Sequence, residues 1–145
     1  MKTLTKIFDF CASHKLWRPE WDLAKNLEVF GKCANPNGHG HNYQLEVSIS
    51  GEPNPITSMI IDAAKLKRMV DESIIQHLDH KNLNEDVPWL KESIPTVEAI
   101  VDAMWNRLDR LVELNSDGAH SIHLQKIQLW ETPRIYAVRT RDSLR

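Results

Sequence analysis

The chain is short of the features that mark membrane, secreted or nucleic-acid-binding proteins. Only two of its 145 residues are cysteine, Cys11 and Cys33. The N-terminal stretch "MKTLTKIFDFCASH" has neither a long apolar h-region nor a cleavage signal. The pair therefore reads as reduced thiols in a cytoplasmic protein rather than as a disulfide framework. No apolar run approaches the ~18 residues needed to span a bilayer. A formal net charge of −2 gives no reason to expect nucleic acid or an anionic membrane surface as partner. Glycine is scarce, and no Gly-rich dinucleotide fingerprint is present, which argues against nicotinamide chemistry. There is no internal linker and no low-complexity tract. With 41% apolar and 26% charged residues, the composition is that of a globular protein, and the length suits one domain, 1–145, with a single sizeable core.

Periodicity supplies the elements. Phe8, Phe10, Ala12 and His14 fall at every second position, as in a strand with one buried face, and His14 projects from the same side as the two phenylalanines. Residues 15–41, with Pro19, Pro36 and three glycines, read as a long irregular loop of the kind that tends to be functional. "NYQLEVSIS" alternates again, with Tyr43, Leu45, Val47 and Ile49 on one face, and "GEPNP" closes it with turn chemistry. Asp62 is an N-cap candidate for a helix of roughly four turns carrying Leu66, Met69, Val70, Ile74 and Leu78. Thr96 is a second N-cap, ahead of a face lined by Val97, Val101, Met104, Trp105, Leu108, Leu111 and Val112. "SIHLQKIQLW" and "IYAVRT" then read as two strands joined by a tight turn at "ETPR", with an inward parity switch between Leu124 and Ile127 that fits a bulge. The order β-β-α-α-β-β implies an α+β fold, an antiparallel sheet with both helices on one face.

One stretch concentrates chemistry. In "CANPNGHGHNY", residues 33–43, His39 and His41 are two apart, so extended backbone aims both imidazoles to one side, and Tyr43 continues that face. Two imidazoles so placed can share a zinc ion, and His14, at the end of a strand able to lie alongside, makes a third ligand. Cys33 is open to two readings, a fourth ligand closing a structural site or a nucleophile or base beside the metal. Past the first helix, "LDHKNL" sets Asp79 next to a helix C-terminus, where a negative charge is unfavourable. An acid there can fix an imidazole's tautomer, and His80 can relay a proton to a thiol. Glu131, after "IQLW", can hold an amidine-like N–H pair bidentately. His77, His120 and His123 take plain structural readings, Cys11 that of a core or subunit-facing thiol, and Trp17, Trp21 and Trp89 those of packing residues.

Five segments, "FDFCASHKL", "FGKCANPNGHGHNYQLEVSISGE", "LDHKNLNEDVP", "PTVEAIVDAMW" and "QLWET", occur in the order and spacing of the 6-pyruvoyltetrahydropterin synthase family, and the resemblance covers residues 7–138. It implies the tunnelling fold (T-fold), in which three subunits join their sheets into a barrel and two trimers stack into a hexamer. It further implies that His14, His39 and His41 bind zinc, that Cys33 is the catalytic thiol, and that Asp79 and His80 are its relay partners, contributed across a subunit interface. Glu131 matches the pterin-anchoring carboxylate and Thr96 a nearby pterin contact. The substrate implied is a small pterin triphosphate, 7,8-dihydroneopterin triphosphate. The longer Cys-x5-His-Gly-His spacing resembles enzymes that form 6-pyruvoyltetrahydropterin. A shorter Cys-x3 form marks relatives that make 6-carboxytetrahydropterin for queuosine synthesis, and a folate-linked branch carries glutamate in place of Cys33. In one respect the chain departs from the animal pattern: Thr96-Val97 stands where two threonines are usual, which leaves the carboxypterin product as the alternative. The alternative of another class is a non-catalytic domain whose zinc site is closed by Cys33.

Overall fold

The computed structural model describes residues 1–118 and 120–142. Its centre is a pair of 13-residue strands, β1 (Lys2–His14) and β2 (His39–Gly51), antiparallel in a register that runs from Lys2 opposite Gly51 to His14 opposite His39. Residues directly opposite one another share a face. Phe8, Phe10, Ala12 and His14 therefore lie on the same side as Leu45, Tyr43, His41 and His39.

Two helices cover that side. Asp62 caps α2 (Ala63–Val70) by accepting from Ala64 N–H at 3.1 Å. The helix continues through one π turn (Asp71–Ile75) into a last α turn, α3 (Gln76–Leu78). The π turn widens the hydrogen-bond ladder, and Arg107 Nε donates into it at Ser73 O, 2.8 Å. Thr96 caps α4 (Val97–Glu113) through Ala99 N–H at 3.1 Å. Leu66, Val70, Ile74, Leu78, Ile100, Met104 and Leu108 close onto Leu45, Val47, Ile49, Ile127 and Leu129, all fully buried. At ~1.5–3 kcal/mol per buried aliphatic side chain, this layer holds the helices to the sheet.

β4 (Ile122–Thr132) pairs with β2, and β5 (Ile135–Thr140) pairs with β4. The expected bulge is present. Ser48 opposes Lys126 while Ile49 opposes Leu124, so Gln125 is the extra residue and the inward parity switches across it. A second bulge lies at the far end of β4. Trp130 opposes Tyr136 and Thr132 opposes Ile135, which leaves Glu131 unpaired.

The structure departs from the sequence reading at one side chain and in two elements. Leu111, read as lining the buried face of α4, is exposed, because it lies off the stripe formed by Met104, Leu108 and Val112. Residues 15–41 are not all irregular, since they contain α1 (Leu23–Phe30) and a 3-10 turn (Gly31–Ala34). The helix hid because its apolar residues make no core stripe: Leu23, Leu27 and Val29 are exposed, and its buried residue is Asn26. That amide is fully satisfied, accepting from Arg18 N–H and donating to the carbonyls of Arg18, Trp21 and Asp22. The helix signals lay in the caps instead, with Asp22 accepting from Lys25 N–H and Gly31 at φ 58°. The sheet is also not purely antiparallel. It has five strands in the order β3-β1-β2-β4-β5, with a two-residue β3 (Lys81–Asn82) running parallel to β1 at Ala12 and Ser13. Two residues are too few for any alternation to show. No helix among the described residues is long and apolar enough to cross a membrane.

Candidate metal centre and its surroundings

The β1–β2 register dictates the first cluster. With His14 opposite His39, and His41 two residues further along the same face, three imidazoles converge where the sheet meets the start of α4. Their ligating nitrogens all lie within 4.8 Å of one another, and His14 Nε2 is 3.2 Å from His39 Nε2. Pro95, just ahead of the Thr96 cap, presents its carbonyl 2.8 Å from His14 Nδ1. Nδ1–H donates there, which fixes the tautomer and frees Nε2 for the cluster, the usual outer arrangement of a metal-bound histidine.

The His14 imidazole is pushed down to about 4, by burial first, with the Pro95 carbonyl opposing and the neighbouring His39 and His41 adding to it. His41 is lowered as well, first by burial, with the Glu131 carboxylate pulling the other way. Neutral imidazoles packed this closely are what a cation requires. His39 Nδ1 and His41 Nε2 are buried with no hydrogen-bond partner, a cost that an ion bound at His41 Nε2 would offset. On the donor chemistry and these orphaned atoms the residues fit zinc, three nitrogens with one position open.

Gly38 makes the approach to the cluster feasible. Its φ is 73°, and a Cβ there would lie 2.9 Å from His14 O. Glu131 continues the inward parity of Ile127 and Leu129, which aims it at the cluster, and it is left unpaired at the second bulge. Oε1 is 3.4 Å from His14 Nε2 and 3.5 Å from His41 Nε2. Tyr43 lies beneath, 1% exposed, with an unpartnered hydroxyl. Burial first, and Glu131 second, push its phenol well above the ordinary tyrosine range.

Cys33 sits half-buried on the 3-10 turn, its carbonyl accepting from Leu16 N–H at 2.7 Å. Its sulfur is not part of the histidine group. Asp79 and His80 gather elsewhere. His80 N–H donates to Cys11 O at 2.6 Å, Cys11 N–H donates to Asp79 Oδ1 at 3.0 Å, and His80 Nδ1 is 3.0 Å from the same oxygen. Cys11 alternates with the buried Phe10 and Ala12, so these three residues lie on the opposite face of β1 from the histidines. The hydrogen bond from Cys11, first, and the contact with His80 hold the Asp79 carboxyl below its ordinary value. That explains an acid at a helix C-terminus, since a strand N–H compensates it.

The plain readings of the other histidines agree with their surroundings. His77 faces Trp89 Nε1 at 3.5 Å, His120 Nε2 donates to Ile60 O at 2.8 Å, and His123 lies beside Ser121. Sequence reasoning missed the roles of Pro95 and of Cys11. A backbone carbonyl leaves no residue-type signal, and the partners of Cys11 lie 68 and 69 positions away.

A family model described as "6-pyruvoyl tetrahydropterin synthase" matches residues 3–142. The chain is 39% identical over 129 residues to the 6-pyruvoyl tetrahydrobiopterin synthase of Pongo abelii, and 38% identical over 129 residues to that of Homo sapiens. Each match covers 89% of this chain and 84% of the relative. The solved structure of Caenorhabditis elegans 6-pyruvoyl tetrahydropterin synthase superposes with a TM-score of 0.84 at 33% identity, covering 97% of this chain and 96% of that one.

Proposed function

The chain belongs to the 6-pyruvoyl tetrahydropterin synthase family, and from that membership we propose that it is a zinc-dependent lyase acting on 7,8-dihydroneopterin triphosphate. The products are 6-pyruvoyltetrahydropterin and triphosphate. The observation that carries this reading is the convergence of three imidazoles, their ligating nitrogens within 4.8 Å of one another, beside a carboxylate.

His14, His39 and His41 hold the ion. When bound, zinc supplies Lewis-acid polarisation of the substrate's side-chain hydroxyls, which acidifies the neighbouring C–H bonds. The chain's own groups do the rest. Cys33 takes and returns a proton on the side chain as a general base, a role supported by its place outside the ligand group. Asp79 orients His80, which exchanges that proton with the thiol. Within one chain this pair lies on the far face of β1, which supports its being delivered to the Cys33 of a neighbouring subunit. Glu131, whose carboxylate lies beside His14 and His41, anchors the pterin ring through a bidentate contact with its N–H edge, as the family resemblance implies. The Thr96 hydroxyl serves the α4 cap, so a pterin would meet it as an already oriented group. Assembly into trimers and hexamers is supported by the outermost strand β5, whose Ile135, Tyr136 and Val138 are each about half exposed on an edge that a neighbour's strand would cover.

One observation favours a second reading. Val97 is apolar and buried beside Thr96, which changes the pocket polarity expected for the pyruvoyl product and leaves 6-carboxytetrahydropterin as the competitor. Incubation with 7,8-dihydroneopterin triphosphate separates the two. Triphosphate without acetaldehyde supports the pyruvoyl product, and stoichiometric acetaldehyde overturns it in favour of the carboxy product.

A further inference from the structure

On the face of β1 opposite the histidines, the Cys11 thiol, the Asp79 carboxylate and the His80 imidazole place one donor atom each within 4.8 Å of one another. We infer that these three residues form a second cation site, for a thiophilic divalent ion such as zinc. The donor set is sulfur, nitrogen and oxygen, which suits borderline-soft zinc. Thiolate and carboxylate together neutralise the ion's two charges, and the thiol proton is released to solvent as the metal–sulfur bond forms.

The site is built rather than accidental. Cys11 grips both partners with its backbone, donating to Asp79 Oδ1 and accepting from His80 N–H. The parallel pairing of β3 with Ala12 and Ser13 locks the segment that follows. His80 is held at φ 61°, a left-handed conformation that costs a non-glycine residue energy and persists only where its surroundings impose it. In front of Cys11 and His80 lies an open cleft of about 570 Å³, lined also by Ser13, His41, Asn42 and Asp86, which leaves room for a water as fourth ligand. The Cys11 thiol alternates with the inward-facing Phe10 and Ala12, and its donor group is separate from that of His14, His39 and His41. An ion held here ties up Asp79 and His80. If the pair relays protons as proposed above, excess zinc inhibits turnover, and this consequence alone rests on that reading.

Titration of metal-stripped protein with Co²⁺ tests the site, because a cobalt–thiolate bond gives a near-ultraviolet charge-transfer band that nitrogen and oxygen ligands lack. A second equivalent of cobalt should bring in that band, the band should persist in Cys33→Ala, and it should vanish in Cys11→Ala. His80→Asn is a second variant that guards against misfolding. Its side chain is 78% exposed, and asparagine tolerates the left-handed backbone. It should weaken the second equivalent by roughly tenfold or more while leaving the first unchanged. Binding of a single equivalent with no thiolate band overturns the site, as does a band that follows Cys33 instead of Cys11. In the activity arm, excess zinc should slow the wild type but not Cys11→Ala, each relative to its own rate at one zinc per chain. A thiolate band without inhibition supports the site and overturns the relay assignment.

Discussion

Gly38 ties the loop to the metal cluster most directly, and its replacement by alanine tests that link. Two costs add. At φ 73° an alanine forgoes a left-handed conformation that glycine adopts freely, at roughly 1–2 kcal/mol. The new methyl also arrives 2.9 Å from the His14 carbonyl oxygen, inside contact distance, and a carbonyl fixed in a strand cannot rotate away. Relieving the clash shifts either the end of β1 or the turn, adding about 1–3 kcal/mol as other overpacked sites do. Gly118 supplies the control, since its φ is 49° with nothing within 4 Å of a built Cβ; Gly118→Ala pays only the backbone cost. Urea unfolding of both metal-free variants should therefore show Gly38→Ala the less stable by about 1–3 kcal/mol. The displacement falls on His14 itself and one residue from His39, so zinc affinity, read by chelator competition, should drop about 10–100-fold in Gly38→Ala alone. Equal stabilities together with wild-type zinc affinity would refute the reasoning that Gly38 exists to let the loop approach His14.

The site assignments lead to further expectations. Elemental analysis should find about one zinc per chain after removal of weakly held metal, with His39→Ala losing it. Cys33→Ala should keep that zinc and its circular dichroism spectrum while losing most turnover, whereas a fall in zinc content would instead make Cys33 a ligand. The metal-free protein should lose stability in mild acid. Below 6.5 the unfolded chain protonates His14 while the folded chain resists until about 4, so stability falls through that window by up to about 3 kcal/mol at ~1.4 kcal/mol per pH unit. His41, lowered in the same direction, adds to the slope, and pH-independent unfolding free energies between pH 7 and 4.5 would contradict the buried neutral cluster. Light scattering at micromolar concentration should report a trimer or hexamer, and a stable, active monomer would remove the case for cross-subunit delivery of His80.

Much of this protein is legible in the sequence because its determinants are local. Two-residue alternation marks β1, β2 and β4, helical spacing marks the faces of α2 and α4, and Asp62 and Thr96 mark their caps. His39 and His41 declare themselves by being two apart on extended backbone. Other features depend on groups that meet only after folding. Strand β3 is two residues long and exists because Asp79, His80 and Leu83 find backbone partners on β1. Helix α1 carries no apolar stripe toward the core, since a buried amide anchors it. The register that sets His14 opposite His39, the Pro95 carbonyl that fixes its tautomer and the approach of Glu131 to His14 and His41 all join residues far apart in the chain. Composition and spacing therefore determined which side chains were available for metal and proton chemistry. Which of them meet was decided by strand pairing, because hydrogen-bond register, unlike periodicity, is a property of two segments at once.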